Sequence, residues 1–199
     1  MIAAIVAVAA AATLVVPAEA RSRGKPSPEP DGPSIELLAI DVDPEGNSPT
    51  SLGTVESCLS APPGALITID IVVDSIPVAA DLQGGILGFQ FELRYKKRAL
   101  TVVSVDNAQM LTANAGSNPI ELTEPLPDRD GSLVTIFADL SETTPENGDG
   151  VLSRIILKKM SRSSTAIEIA NPIVVDASND TYAFGELRGA RIVSREGCR

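Results

Sequence analysis

The sequence has no histidine and no tryptophan, and only two tyrosines and four phenylalanines occur among its 199 residues. Without histidine, the chain lacks the usual proton shuttle at neutral pH and the commonest metal ligand of proteins. Its two cysteines, Cys58 and Cys198, are too few for a cysteine-rich zinc site. The core of the protein must therefore be built mainly from Val, Ile, Leu and Ala.

Positive charge is also scarce, because 16 Lys and Arg residues face 26 Asp and Glu residues, for a net charge of −10. The longest basic run is Lys96-Lys97-Arg98. Binding to nucleic acid needs a basic face, so no nucleic-acid partner is expected. The chain also has no nucleophile elbow, no Cys/His pair, no phosphate-binding glycine loop and no spacing that singles out a carboxylate pair. We therefore predict that it is not an enzyme and needs no cofactor.

The first twenty residues are typical of an export signal. Residues 2–16 are apolar and uncharged, and Ala18-Glu19-Ala20 has the small-x-small form of a cleavage site. This run is shorter than a membrane span, so residues 1–20 are predicted to be a signal peptide, with no membrane span after cleavage. Positive charges follow the run instead of preceding it, which leaves an uncleaved anchor or an upstream start as alternatives. Residues 21–33 hold four prolines and are predicted to be a disordered linker.

Residues 34–199 show short apolar runs separated by turn residues such as Asp130-Gly131 and Asn147-Gly148. The run Gly88–Tyr95 alternates most clearly between apolar and polar residues, which is the pattern of a half-buried strand. A single helical turn is predicted around residues 108–115. This pattern predicts an all-β domain, a jelly-roll β-sandwich of about nine strands. The predicted strands are residues 35–42, 66–73, 88–95, 100–105, 132–138, 151–158, 165–169, 173–175 and 187–193.

Residues 64–193 resemble a cohesin domain, the jelly-roll module that binds dockerin modules in cellulosome-type assemblies. The matching residues are the strand Gly88-Phe89-Gln90-Phe91-Glu92-Leu93-Arg94-Tyr95, the apolar strand after it, and Gly148-Asp149-Gly150-Val151-Leu152-Ser153-Arg154-Ile155. The resemblance implies an extracellular, non-catalytic module, secreted or on the cell surface, that recognises a dockerin-like or other secreted protein in a scaffold.

The resemblance also implies a position for the partner-binding face. In cohesins the strands that match residues 88–95 and 151–158 are expected to be neighbours in the sheet that receives dockerin. The outward residues of these strands would then form one face, with Leu152 and Ile156 as its apolar members. The predicted partner-binding residues are Gln90, Glu92, Arg94, Arg154 and Lys158.

Carbohydrate binding is the alternative function, because the cohesin fold is shared with modules that act in polysaccharide catabolism. Such modules use exposed aromatic platforms. Only Tyr182 and Phe184 are predicted to be available for this purpose, which ranks a polysaccharide partner second. A purely structural surface module is a third alternative.

Two further predictions concern single sites. Asp41, Asp43 and Asn47 gather oxygen atoms in one loop, which suits a weak calcium site, although these residues also form ordinary turns. Cys58 and Cys198 are predicted to form a disulfide, since export brings both into an oxidising setting and the end strands of a jelly roll usually lie side by side. Two free thiols are the alternative.

Overall fold

The structure, a computed structural model, describes residues 33–78, 84–141, 145–194 and 197–198. The predicted signal peptide and the predicted linker up to residue 32 lie outside the described residues. Within the described part of the chain, no helix has the length and apolar character needed to cross a membrane.

The described chain consists of β-strands and one short 3₁₀ turn, at Met110–Thr112. This turn falls inside the region where a helical turn was predicted. The strands are β1 (Ser34–Asp41), β2 (Cys58–Ser60), β3 (Leu66–Ile76), β4 (Gly88–Tyr95), β5 (Leu100–Asp106), β6 (Pro119–Thr123), β7 (Ser132–Asp139), β8 (Gly148–Lys159), β9 (Thr165–Val175), β10 (Ala183–Arg188) and β11 (Ala190–Val193).

The strands form two sheets packed face to face. One sheet has five strands in the order β10-β1-β3-β8-β5, and the other has six in the order β2-β11-β9-β4-β7-β6. Most neighbouring strands are antiparallel, while β1 with β10 and β2 with β11 are parallel. The prediction of an all-β sandwich is therefore confirmed.

Strand β4 shows how the sequence pattern builds the core. Its alternate residues Phe89, Phe91, Leu93 and Tyr95 are all buried between the sheets. The ring of Phe89 stacks on those of Phe91 and Phe137, with centroids 5.9 Å apart in both pairs. The intervening residues of β4 point away from the core, as the period of a half-buried strand requires.

The structure has eleven strands where about nine were predicted. The short strands β2 and β6 were not predicted, and the two strands predicted at 165–169 and 173–175 are one strand, β9. A register shift interrupts the pairing of β9 with β4, and Asn171 there has a φ of 49°. The predicted last strand divides at Gly189, where the chain crosses from one sheet to the other. A Cβ atom on Gly189 would lie 2.6 Å from the carbonyl oxygen of Ile167.

The disulfide between Cys58 and Cys198 is confirmed, with a Cα–Cα distance of 5.5 Å and a sequence separation of 140 residues. Cys58 lies on β2 opposite Arg191 of β11, and Cys198 follows β11. The bond therefore fixes β2, the shortest strand, to the end of the chain that pairs with it.

Candidate functional site

The predicted partner-binding face is divided between two sheets. Gln90, Glu92 and Arg94 lie on β4 in the six-stranded sheet, whereas Arg154 and Lys158 lie on β8 in the five-stranded sheet. The expectation that β4 and β8 are neighbours was therefore wrong. Both strands are half-buried and both alternate, so the sequence pattern alone did not show that they belong to opposite layers.

Leu152 was also predicted to point outward, but it is only 1% exposed. The pairing of β3 with β8 contains a bulge, in which Ile71 faces Ser153 while the next residue, Val72, faces Val151. Leu152 is the extra residue of this bulge, so the alternation of β8 changes there and its side chain enters the core. Ile156, beyond the bulge, is half-buried on the outer side.

A long segment between β1 and β2, residues 43–57, covers part of the outer face of the five-stranded sheet. Leu52 and Val55 of this covering segment pack on the fully buried side chains of Val72 and Val151. The segment passes so close to β8 that a Cβ atom on Gly150 would lie 2.2 Å from the carbonyl oxygen of Pro49. The covered part of this outer face, around Val72 and Val151, is therefore part of the interior of the protein.

A polar cluster lies under the covering segment. The Asp70 carboxylate is fully buried and accepts two hydrogen bonds of 2.8 Å from the Arg154 guanidinium. Asn47 donates from its Nδ2 to both Asp41 Oδ2, at 2.8 Å, and Asp70 Oδ2, at 3.1 Å. The hydrogen bonds to Asp70 raise the pKa of Arg154. Arg154, a predicted partner-binding residue, is thus held by an internal ion pair.

The predicted calcium residues belong to this cluster. Asp41 accepts hydrogen bonds through Oδ1 from the backbone amides of Asp43, at 3.0 Å, and Glu56, at 3.1 Å. Asn47 presents its amide nitrogen, and not its oxygen, to the two carboxylates. Among the described residues, no group of three or more His, Cys, Asp or Glu side chains is placed to hold a metal ion. The structure therefore gives the calcium prediction no support.

The outer face of the six-stranded sheet carries exposed apolar side chains on neighbouring strands. Leu122 on β6 lies opposite Ile136 on β7, and Ile173 on β9 lies beyond Gln90 of β4 in the same row. The exposed fraction is 64% for Leu122 and 42% for Ile173. A second row next to it contains Ile120, 45% exposed, with Ala138, Gly88 and Val175. We call these two rows the apolar band; its side chains are Ile120, Leu122, Ile136, Ala138, Ile173 and Val175.

The apolar band contains a shallow depression of about 170 Å³. It lies over Gly88, where the sheet has no side chain, and Ile136, Ala138, Ile173 and Val175 are among the residues that line it. A depression of this size accommodates one or two side-chain groups from another molecule.

A polar cluster lies beside the apolar band on the same face. The Glu92 carboxylate accepts hydrogen bonds from Arg94 Nε and Nη2, at 2.8 and 2.7 Å, from Ser132 Oγ at 2.7 Å and from Asn171 Nδ2 at 2.9 Å. These bonds, chiefly those from Arg94, lower the pKa of Glu92 to about 2. The Arg94 side chain is nevertheless 53% exposed. The cluster is therefore ordered in advance of any contact with a partner.

Sugar binding would depend on an aromatic platform formed by Tyr182 and Phe184, and both of these side chains pack into the fold. Tyr182 is 5% exposed and donates its hydroxyl to the Gly85 carbonyl oxygen at 2.7 Å, and Phe184 packs against the core. Burial is the main cause that raises the pKa of Tyr182 to about 12. The remaining four aromatic side chains, Phe89, Phe91, Tyr95 and Phe137, are buried. No aromatic side chain is therefore fully exposed for stacking on a sugar, and Phe184 alone is partly exposed.

The sequence analysis missed the most exposed residues of the apolar band, Ile120 and Leu122. Strand β6 alternates clearly, but its polar side faces inward: Asn107 Nδ2 donates to Glu121 Oε1 at 2.8 Å and to Thr123 Oγ1 at 3.1 Å. Thr135 joins the same buried cluster. The alternation was therefore a usable signal, but the rule that apolar residues face the core is inverted in this strand.

No family model and no curated protein matches the chain. Solved structures of cohesins do resemble it. The sixth cohesin of scaffoldin B from Acetivibrio cellulolyticus, solved with a Cel5 dockerin mutant, is 18% identical with a TM-score of 0.58, covering 81% of this chain and 99% of that one. The OlpC cohesin of Clostridium thermocellum, solved with Doc435, is 14% identical with a TM-score of 0.59, covering 84% and 99%.

A non-cellulosomal cohesin from the archaeon Archaeoglobus fulgidus is also similar, with 18% identity and a TM-score of 0.53, covering 82% of this chain and 94% of that one. At these identities the similarity shows the fold. The protein therefore has a cohesin-like jelly-roll fold, as the resemblance in the sequence implied.

Proposed function

We propose that this protein is a non-catalytic recognition module that binds a dockerin-like protein through the apolar band. The observation that carries the proposal is the exposure of Ile120, Leu122 and Ile173 together on a sheet face that no described segment of the chain covers. Apolar side chains grouped in this way indicate a contact surface for another molecule.

The arrangement of the face fits the anatomy of a protein interface. Its apolar centre with a depression at Gly88 suits an anchoring side chain, and the adjacent cluster of Glu92 and Arg94 supplies an ordered polar border. Because Glu92 already holds Arg94, little side-chain entropy is lost when a partner contacts it.

The cohesins that this chain resembles support the same kind of partner, since two of them were solved as complexes with dockerin modules. The disulfide supports an oxidising, extracellular setting. In that setting the module would serve a scaffold or surface assembly. The predicted face is thereby revised: Gln90, Glu92 and Arg94 stay in the proposal, while Arg154 and Lys158 do not.

The proposal is tested with purified dockerin modules, including those of the Cel5 and OlpC complexes and any encoded with this protein. Binding is measured by calorimetry for the native protein and for the Leu122→Lys and Ile173→Lys variants. Leu66→Lys is the matched control, because Leu66 is 66% exposed on the outer side of β3 in the opposite sheet.

We expect at least one dockerin to bind, and each apolar-band variant to weaken binding by about 2 kcal/mol or more while Leu66→Lys has no effect. The proposal fails if no dockerin binds. The apolar band is not the binding surface if Leu66→Lys weakens binding as much as Leu122→Lys does.

A further inference from the structure

A groove of about 850 Å³ lies at the other end of the six-stranded sheet, beside the disulfide-linked strand β2. It runs between the turn at Pro62 and Pro63 and the loop that contains Arg162. Arg191 and Val193 of β11 line it from the outer face of the sheet. The groove is therefore separate from the apolar band but opens on the same side of the molecule.

Two arginines of this groove have no acidic partner among the described residues. The ion pairs of the described residues use Arg94, Arg154 and Arg188. The side chains of Arg162 and Arg191 are exposed and form no ion pair or hydrogen bond in the described part of the chain. The protein as a whole has a net charge of −10. The two guanidinium groups therefore give this groove a positive charge, opposite in sign to that of the protein as a whole.

A hydroxyl group of the groove also lacks a partner. Ser194 Oγ is inaccessible to solvent and makes no hydrogen bond within the described residues, although Ser194 lines the groove. Val193, which is 8% exposed, contributes an apolar surface next to it. Because Ser194 Oγ is closed to solvent, contacts with a ligand in the groove would come from the two guanidinium groups and from the apolar surface of Val193.

From these contacts we infer that the groove binds an acidic segment of the protein partner, with aspartate or glutamate carboxylates paired to Arg162 and Arg191. The inference deepens the proposed function and rests on it for the identity of the partner. Guanidinium groups bind carboxylates in a planar, two-bonded geometry, which gives orientation as well as attraction.

The position of the groove fits one partner that reaches both sites. Arg191 lies opposite Ala166 at the start of β9, and Ile173 of the apolar band lies seven residues further along that strand. At about 3.3 Å per residue this places the two sites roughly 23 Å apart, which is within the span of a protein interface of standard size. The apolar band would supply contact area, while the groove would select partners by charge.

The test uses a labelled hexaglutamate peptide, with hexaglutamine as the neutral control, and measures binding by fluorescence anisotropy in 50 mM and 300 mM NaCl. The variants are Arg162→Gln, Arg191→Gln and the double variant. Arg129→Gln is the matched control, because Arg129 is exposed, outside the groove and without an ion pair among the described residues.

We expect hexaglutamate to bind and hexaglutamine not to bind. Each groove variant should weaken binding at least threefold and the double variant at least tenfold, while Arg129→Gln changes it less than twofold. If Arg129→Gln weakens binding as much as Arg191→Gln, the attraction is a general charge effect and the inference is overturned. Absence of hexaglutamate binding in 50 mM NaCl overturns the inference as well. So does displacement of the peptide by millimolar inorganic phosphate, which would show that the groove binds anions without preferring the peptide.

The apolar-band variant Leu122→Lys separates this inference from the proposed function. It should leave hexaglutamate binding unchanged, because Leu122 lies on β6, at the edge of the sheet farthest from the groove. If dockerins fail to bind but the peptide binds as expected, the partner class is wrong and the acidic-segment site stands. The opposite outcome is that dockerins bind through the apolar band, while the double arginine variant still binds both dockerins and the peptide normally. In that case the groove inference fails and the proposed function stands.

Discussion

The two outer faces of the sandwich are built from similar residues that serve opposite purposes. On the five-stranded sheet, apolar residues such as Val72 and Val151 are fully buried under the covering segment, residues 43–57. On the six-stranded sheet, Leu122 and Ile173 are exposed, and no described segment lies over them. The covered face contributes to the stability of the fold, whereas the bare face leaves its apolar area available for a partner.

The ion pairs differ in the same way. The pair of Asp70 and Arg154 joins β3 to β8 beneath a covering segment, with the Asp70 side chain fully buried. The pair of Glu92 and Arg94 lies within one strand and leaves most of the Arg94 side chain in solvent. An ion pair between strands holds the sheet together, while a pair within one strand mainly orients an exposed side chain.

The largest effect is expected from removing the disulfide, which anchors β2 at the edge of the bare sheet. Replacing Cys58 and Cys198 by serine should reduce the free energy of unfolding by about 4 kcal/mol, since the bond closes a long loop in the unfolded chain. Urea unfolding measures the loss. Because the bond also ties β2 to the chain after β11, hydrogen exchange should show that β11 loses protection before β3 and β8 do. Equal loss in both sheets would show that the bond acts only through the unfolded chain.

The ion pair of the covered face provides the next largest effect. Asp70→Ala should destabilise the protein by about 3 kcal/mol, because it leaves the Arg154 guanidinium and the Asn47 amide without their buried acceptor. The control is Glu186→Ala, which removes the exposed pair with Arg188 and should cost less than about 1 kcal/mol. Equal costs for the two variants in urea unfolding would show that Asp70 is not the internal anchor that its burial indicates.

A matched pair of leucine variants compares the two faces directly. Leu52→Ala should cost about 1–2 kcal/mol of stability, because Leu52 packs on the buried residues of the covered face. Leu122→Ala should change stability by less than about 0.5 kcal/mol, since Leu122 is 64% exposed. Thermal unfolding of both variants gives the comparison. A larger loss for Leu122→Ala would mean that the apolar band is structural.

The smallest effect concerns the pH dependence of Glu92 on the bare face. Its pKa is lowered to about 2 from an ordinary value of 4.5, so the ionised form stabilises the folded state. That contribution is complete above about pH 4.5 and is lost as the pH falls towards 2. The stability difference between the native protein and Glu92→Gln should therefore shrink over this range. A difference that stays constant between pH 6 and pH 2 would contradict the hydrogen bonding described for Glu92.

The fold could be predicted from the sequence because its longer strands follow local rules. The alternation of Phe89, Phe91, Leu93 and Tyr95 marks a strand without any knowledge of its neighbours. The two cysteines allowed one intramolecular pairing, which the structure contains. These signals lie in single segments of the chain and need no tertiary information.

The candidate site was harder to predict because it depends on which strands lie side by side. Nothing within β4 or β8 shows that they belong to opposite sheets, so Arg154 was predicted to share a face with Arg94 that the two residues do not share. The bulge at Leu152 changes which side chains of β8 face inward, and in β6 the polar side chains turn toward Asn107. Both depend on contacts with distant residues, which a local pattern does not contain.

The disulfide has a mechanical consequence for a domain whose chain is pulled from both sides. Tension applied through the chain beyond Cys198 passes directly into Cys58, so the whole stretch between the two cysteines is bypassed. That force can lengthen only the part of the domain before Cys58. This part consists chiefly of β1 and the covering segment. Strands β4, β6, β7 and β9, which carry the apolar band, all lie inside the bypassed stretch. Pulling on this protein would therefore strip β1 and the covering segment from the five-stranded sheet, while the strands of the apolar band stayed within the cross-linked stretch.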